Sequence, residues 1–169
     1  PLQFAQLLDG MGDVTVFCKH DKALKFWLPE SAREALEEIA SLQGESMSEM
    51  LRQFLAQHVY GVYAFRLMNE RHPGLFKNLT EIPSFSRCPA EADRRRRIDT
   101  YWVPELGKNV LSIKLWMAKR MVDDLQVLAD HSGIRLSQYV REIVISRLLG
   151  HGTLPKRPEM LIASPLKSA

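Results

Sequence analysis

The sequence has few of the residues and motifs that build metal sites and catalytic sites. Only two of its 169 residues are cysteines, Cys18 and Cys88, and no histidine or cysteine stands near them at metal-ligand spacing. We interpret them as free thiols in a reducing cytoplasm, and we expect no metal and no cofactor. The sequence also lacks a glycine-rich phosphate loop, an HExxH motif and a cysteine–histidine pairing. These absences argue against an enzyme.

Long apolar runs and a strong charge excess are missing as well. No apolar stretch has the length needed to cross a bilayer, and the chain opens without a signal-peptide pattern, so we expect no membrane association. The net charge is +3, from 23 basic and 20 acidic residues. A mild positive excess permits a nucleic-acid partner without requiring one.

The chain does contain one stretch that occurs twice. Residues 23–61 align without a gap on residues 112–150, at an offset of 89 positions. The identical pairs are Lys25/Lys114, Trp27/Trp116, Leu36/Leu125, Ala40/Ala129, Gly44/Gly133, Ser48/Ser137, Arg52/Arg141 and Gly61/Gly150. A copy of about forty residues is too short to bury a core of its own. We therefore expect the two copies to share one core.

Each copy is predicted to form a strand followed by two helices. Residues 24–28 and 111–117 alternate between inward apolar and outward side chains, which is the pattern of a half-buried strand. Pro29 suits the first turn of a helix, and Gly44 ends that helix. Ser46 and Glu49 predict a capping box at the start of the next helix. The predicted buried stripes comprise Ala32, Ala35, Leu36, Ile39, Ala40 and Leu42, then Met47, Met50, Leu51, Phe54, Leu55, His58, Val59 and Val62. We interpret His58 as a packed core residue rather than a ligand.

The rest of the chain flanks or connects these units. Residues 1–22 form an N-terminal arm, in which Val14–Cys18 is predicted to be strand-like because it is β-branched and aromatic. The first unit spans 23–62, and helical character is predicted to continue past Gly61. The connector, 63–109, contains a proline-rich loop and four consecutive arginines. The second unit spans 110–150. Residues 151–169 are predicted to form a flexible, proline-rich tail that is either disordered or docks a partner.

Two such units can bury their strands by pairing them into one antiparallel ribbon over four helices. The predicted fold class is therefore mainly α with a short two-stranded antiparallel ribbon. The strands pair either within one chain or between two chains, and we favour the intrachain pseudo-dimer because the connector is long enough. Lys25, Trp27, Lys114 and Trp116 then project from the outer face, and a two-stranded ribbon has the width of the DNA major groove.

The second helix of each unit adds an anion site. Its N-terminus presents main-chain N–H groups and the positive end of the helix dipole, a combination that suits a phosphate. Ser46 and Ser48 in one copy, and Arg135 and Ser137 in the other, stand where they supplement those donors. The ribbon would then read bases while the helix ends fix the register on the backbone.

Both units resemble the ribbon-helix-helix (MetJ/Arc-type) family of DNA-binding proteins. The resemblance lies in Leu24–Pro29 and Gly44–Arg52, with their counterparts Ile113–Met117 and Gly133–Arg141, and covers about half of the chain. It implies base contacts from the outer ribbon face, including Ser112, and phosphate contacts from residues 46–48 and 135–137. The tandem arrangement is similar to fused versions in some conjugative-plasmid relaxosome accessory proteins.

Two functions follow as hypotheses. The first is a sequence-specific protein that binds double-stranded DNA in the bacterial cytoplasm, at the nucleoid, as a repressor or as an accessory factor for DNA processing on a plasmid or mobile element. The second is a protein-interaction module, antitoxin-like or part of an assembly, that binds a partner through its tryptophans and tail. The arginine run, Arg94, Arg95, Arg96 and Arg97, is either solvated surface or a phosphate clamp.

Overall fold

The computed structural model describes residues 3–77, 85–87 and 106–150. The first unit comprises β1 (Lys22–Pro29), α1 (Glu30–Gln43) and α2 (Met47–Tyr60). A helix, α3 (Val62–Arg71), and a short strand, β2 (Phe85–Arg87), follow it. The second unit comprises β3 (Asn109–Met117), α4 (Lys119–His131) and α5 (Leu136–Leu149). The predicted fold class, mainly helical with an antiparallel ribbon and two strand-helix-helix units, is confirmed.

The ribbon is formed by β1 and β3 of the same chain, in a register that follows the repeat. Lys25 lies opposite Lys114, and these two residues are equivalent at the offset of 89. Trp27 lies opposite Ser112, and Trp116 lies opposite Ala23. These two pairs are equivalent, because at the offset of 89 Trp27 corresponds to Trp116 and Ala23 to Ser112. A pseudo-twofold axis therefore passes through the Lys25–Lys114 pair.

A third strand, β2, extends the sheet at one edge of the ribbon. It runs antiparallel to β3, with Ser86 opposite Ser112, and gives the strand order β1-β3-β2. The sequence did not predict this strand, because the connector shows no sustained periodicity. The sheet is thus three strands wide at residues 111–113 of β3 and two strands wide at residues 114–117.

The turn between the two helices is built in the same way in both copies. Gly44 and Gly133 have φ angles of 68° and 70°, a left-handed conformation that costs glycine no clash with a Cβ. The residue after each glycine donates its main-chain N–H to the carbonyl oxygen five residues earlier, at 3.0 Å in the first copy and 3.2 Å in the second. This is the Schellman closure of a helix. It explains why the glycine occurs in both copies.

The two units share one hydrophobic core, as their length requires. The inward side chains of the ribbon are buried in a single cluster with residues of all four unit helices. Those ribbon side chains are Leu24, Phe26 and Leu28 of β1 and Ile113, Leu115 and Met117 of β3. Packing crosses between the units, because α5 contacts β1 while α2 contacts both β3 and α4. The core is therefore closed only when both units are present.

Two buried arginines occupy equivalent positions inside this fold. Arg52 of α2 and Arg141 of α5 are 1% and 3% exposed. Nη1 of Arg52 donates a hydrogen bond to the main-chain carbonyl oxygen of Trp116, at 2.7 Å. A guanidinium group is costly to bury unless it is hydrogen-bonded. The bond ties a helix of the first unit to the ribbon strand of the second.

Polar contacts between helices also cross from one unit to the other. The Tyr60 hydroxyl donates to Oδ2 of Asp124 at 2.5 Å, and burial, together with this carboxylate, raises the pKa of Tyr60 above its usual range. Nε2 of His58 lies 2.8 Å from the hydroxyl oxygen of Tyr139. His58 is exposed, so the prediction of a packed core histidine is wrong. Partial burial of its ring nevertheless lowers the pKa of His58.

The N-terminal arm differs from its prediction. Val14–Cys18 is a 3₁₀ helix rather than a strand, so that prediction is wrong. The Asp13 side chain accepts the N–H of Thr15 at 2.9 Å and begins the turn. Val14 and Phe17, three residues apart, then point the same way and are both buried, which a strand would not allow. The Phe17 ring lies 5.0 Å from that of Tyr60, so the arm packs on α2.

The predicted stripe of α1 is narrower than expected. Its buried residues are Ala32, Leu36 and Ala40, each four positions from the next, whereas Ile39 is 37% exposed and Leu42 is 81% exposed. Leu42 follows Ala40 by two residues, which places it about 200° around the helix and away from the core.

Helical structure does continue past Gly61, as predicted, in the form of α3. Gly61 has a φ of 86° and separates α3 from α2. Val62 therefore belongs to a different helix from the predicted stripe, and it is 68% exposed.

Candidate nucleic-acid interface

The outer face of the ribbon presents lysine and tryptophan to solvent. Lys25 and Lys114 are exposed, Trp116 is 38% exposed, and Trp27 is half-buried. The paired lysines lie at the centre, and a tryptophan lies two residues from the centre in each direction. No acidic residue occurs at the outward positions of β1 and β3. The face is therefore positively charged and flanked by indole rings.

Each lysine is associated with the tryptophan of its own strand. Nζ of Lys25 lies 5.2 Å from the ring centre of Trp27, and Nζ of Lys114 lies 4.9 Å from that of Trp116. These are cation–π contacts, in which the ammonium group lies over the negative face of the ring. At an exposed site such a contact stabilises by roughly 0.5–1 kcal/mol. Both pairs are therefore partly ordered before any ligand arrives.

Ser112 shares this face in sequence register but is not accessible on it. It lies between Trp27 of β1 and Ser86 of β2 in the sheet, and it is only 3% exposed. Four of the five predicted ribbon residues are thus at least partly exposed on the outer face, and Ser112 is not.

The N-terminus of α2 carries the predicted capping box. The Ser46 hydroxyl accepts the main-chain N–H of Glu49, and Oε2 of Glu49 accepts the N–H of Ser46, each at 3.1 Å. This reciprocal pair satisfies two of the amides that a helix start leaves open. Ser46 is half-buried, and Ser48 is buried at 6% exposure. Ser46 thus stabilises the helix, and Ser48 does not face solvent.

The N-terminus of α5 is built differently. Arg135 is the N-cap residue and is exposed, and its side chain contains only hydrogen-bond donors. One of the two hydrogen bonds of a capping box is present, because Oε1 of Gln138 accepts the main-chain N–H of Arg135 at 3.2 Å. Ser137 is half-buried. This helix start therefore brings a positive charge where α2 has a hydroxyl acceptor.

Two structurally important contributions were not predicted from the sequence. Arg52 and Arg141 are identical in the two copies, which is a usable signal, but the identity alone does not show that they are buried. Oδ1 of Asp21 accepts the main-chain N–H of Lys119 at 2.8 Å, so a residue beside β1 caps α4 of the other unit. A separation of 98 positions leaves no local pattern by which this contact could be found.

A groove of about 220 Å³ lies between α1, α2 and α5, outside the ribbon. Leu36, Met50 and Phe54 are among its apolar lining residues, and Gln43 and Arg147 are among its polar ones. The guanidinium carbon of Arg147 lies 5.6 Å from the Phe54 ring centre. The groove offers an apolar surface with a cationic rim.

The remaining predicted sites lie outside the described residues. These are the arginine run 94–97 and the tail 151–169, and the predicted free thiol of Cys88 lies outside the described residues as well. Across the described ranges, no cluster of three or more histidine, cysteine or acidic residues has a geometry that could hold a metal ion. In the same ranges no helix combines the length and the apolar character needed to cross a bilayer.

No family model, no curated protein and no solved structure matches the chain.

Proposed function

We propose that this chain is a ribbon-helix-helix protein that binds double-stranded DNA sequence-specifically, with the β1–β3 ribbon in the major groove. The observation that carries the proposal is the register, which sets Lys25 opposite Lys114 on a solvent-facing, acid-free surface. A lysine ammonium donates to the N7 and O6 acceptors of guanine in that groove. A regulatory repressor and an accessory factor in DNA processing both require this activity.

The geometry supports DNA recognition by a single chain. The pseudo-twofold axis relates β1 to β3, so a bound duplex would carry two half-sites related by an approximate dyad. The N-termini of α2 and α5 would lie on flanking phosphates. Because the N-cap residue is Ser46 in α2 and Arg135 in α5, the second half-site would gain an additional charge-assisted phosphate contact.

The test begins with selection of bound duplexes from a random DNA pool. The double variant Lys25→Ala/Lys114→Ala should lose at least tenfold in affinity for the selected duplex while it remains folded, with a loss of stability no larger than that of its two cation–π contacts, about 1–2 kcal/mol. The matched control is Lys19→Ala/Lys77→Ala, which removes the same charge from exposed positions outside the ribbon. An unchanged affinity in the first variant, or an equal loss in the control, would show that the ribbon is not the reader.

A protein-interaction module is the second candidate, and the groove between α1, α2 and α5 is the observation that favours it. The two candidates differ in their response to salt. Each neutralised phosphate contributes about −0.9 to the slope of log affinity against log salt concentration. A protein that only binds another protein would show no selected duplex and no such slope.

A further inference from the structure

The two tryptophans of the outer face would contact different groups of a base pair from those that the lysines contact. A lysine can donate to base acceptors, but an indole ring is mostly apolar and offers a single N–H donor. On the major-groove edge the apolar group of a base pair is the C5-methyl of thymine. A ribbon that carries one tryptophan beside each lysine is therefore suited to thymine as well as to guanine.

The ribbon register sets the distance between the two rings. Trp27 lies two residues from the central lysine pair along β1, and Trp116 lies two residues from it in the opposite direction. At a strand rise of about 3.3 Å per residue the two positions are roughly 13 Å apart along the ribbon. At about 3.4 Å per base pair, this length corresponds to roughly four base pairs.

Pseudo-symmetry also determines which DNA strands are contacted. The axis through Lys25 and Lys114 exchanges Trp27 with Trp116. If this axis coincides with the dyad of the duplex, the two rings meet bases on opposite strands. The cation–π contacts, at 5.2 Å and 4.9 Å, restrain each indole ring beside its lysine before DNA binds.

The two ends of the ribbon are not equally open. Trp116 is 38% exposed and lies where the sheet is two strands wide. Trp27 is half-buried and lies opposite Ser112, at the level where β2 adds a third strand. A groove edge can therefore approach Trp116 more closely than Trp27.

We propose that Trp116 and, more weakly, Trp27 contact the C5-methyl groups of two thymines, roughly four base pairs apart on opposite strands of the bound duplex. This inference rests on the proposed function, because it assigns specificity to the same ribbon. It adds a thymine requirement that the lysines do not impose. It also predicts that the two thymines contribute unequally.

The test replaces thymine by uracil, one position at a time, in the duplex selected from the random pool. Uracil keeps every hydrogen-bonding group of thymine and removes only the methyl group. We expect two sensitive positions at the stated spacing, with affinity reduced roughly three- to fivefold at the stronger one, as for one buried methyl group. Thymines elsewhere in the duplex serve as internal controls.

The variant Trp116→Ala should be insensitive to uracil at the stronger position while it keeps its sensitivity at the weaker one. Leu42→Ala, at an exposed position on α1, is the protein control and should retain both sensitivities.

A duplex without a thymine pair at this spacing would overturn the inference, as would a uracil series without effect. In either case a lysine-dependent affinity would leave the proposed function intact, whereas failure to select any duplex would refute the function itself. The uracil series needs no altered protein, so it decides the question even if Trp116→Ala does not fold.

Discussion

Lysine and arginine occur identically in both copies for different physical reasons. Lys25 and Lys114 are exposed at the centre of the ribbon, where nothing in the core requires them. Arg52 and Arg141 are buried, and the bond from Arg52 to the Trp116 carbonyl holds a helix against the opposite strand. Repetition in the sequence marks both pairs, but only burial separates a structural cation from a candidate ligand-binding one.

The structural role of Arg52 leads to a prediction about stability. Arg52→Ala removes a buried donor, leaves the Trp116 carbonyl without that bond and opens a cavity, so it should lower the free energy of unfolding by about 3 kcal/mol. Urea unfolding measures the change. Arg66→Ala is the control, because its ion pair with Glu70 lies on the surface with a side chain 77% exposed. That control should cost at most about 0.5 kcal/mol, and a similar loss in both variants would contradict the assignment.

The lowered pKa of His58 predicts a pH-dependent component of stability. Partial burial lowers its pKa in the folded state from the ordinary value of 6.5, so the unfolded chain binds the proton more readily. The contribution is present above pH 6.5 and is lost as the pH falls through the folded-state pKa. We expect the unfolding temperature to fall less between pH 7.5 and pH 5 in His58→Gln than in the unmodified protein. Identical pH profiles would show that His58 is not responsible.

At the scale of elements, the sequence predicted what depends on local periodicity. Alternation identified β1 and β3, and glycine and serine signals placed the turns. Spacings of three and four residues found the buried side of α1 but also included Ile39 and Leu42, which are exposed. Val14–Cys18 was mistaken for a strand because its composition favours one, while the Asp13 cap and the burial of Phe17 require a helical turn. The short strand β2 was missed because its hydrogen bonds to β3 connect distant parts of the chain.

Because α2 and α5 have different N-cap residues, substitutions at the two positions should change the free energy of unfolding in opposite directions. Ser46→Ala removes the acceptor for the Glu49 N–H and should lower the free energy of unfolding by about 1 kcal/mol. Arg135→Ser provides that acceptor at the equivalent position, where Gln138 already supplies the other half of the box. It should raise the free energy of unfolding by about 0.5–1 kcal/mol. Chemical denaturation compares the two, and a loss of stability in Arg135→Ser would contradict the capping argument.

At the scale of the whole molecule, the repeat forms one interleaved body rather than two modules. Arg52 reaches the strand of the second unit, Asp21 caps its first helix, and Tyr60 bonds to the same helix at Asp124. The sequence predicted a shared core from the shortness of each copy. It could not predict these particular contacts, because their partners are separated by 64 to 98 positions and follow no local pattern.

This interleaving predicts how the protein responds to a cut between its units. A protease site inserted between residues 88 and 105 and then cleaved should leave both fragments associated, because each supplies half of the core and half of the ribbon. Unfolding of the cleaved protein then becomes a dissociation, so its midpoint should fall on dilution, whereas that of the uncut protein should not. Circular dichroism at several protein concentrations measures both midpoints.

Two fragments that separate and remain helical alone would mean that each unit closes its own core. A concentration-dependent midpoint in the uncut protein would instead mean that the ribbon pairs between chains.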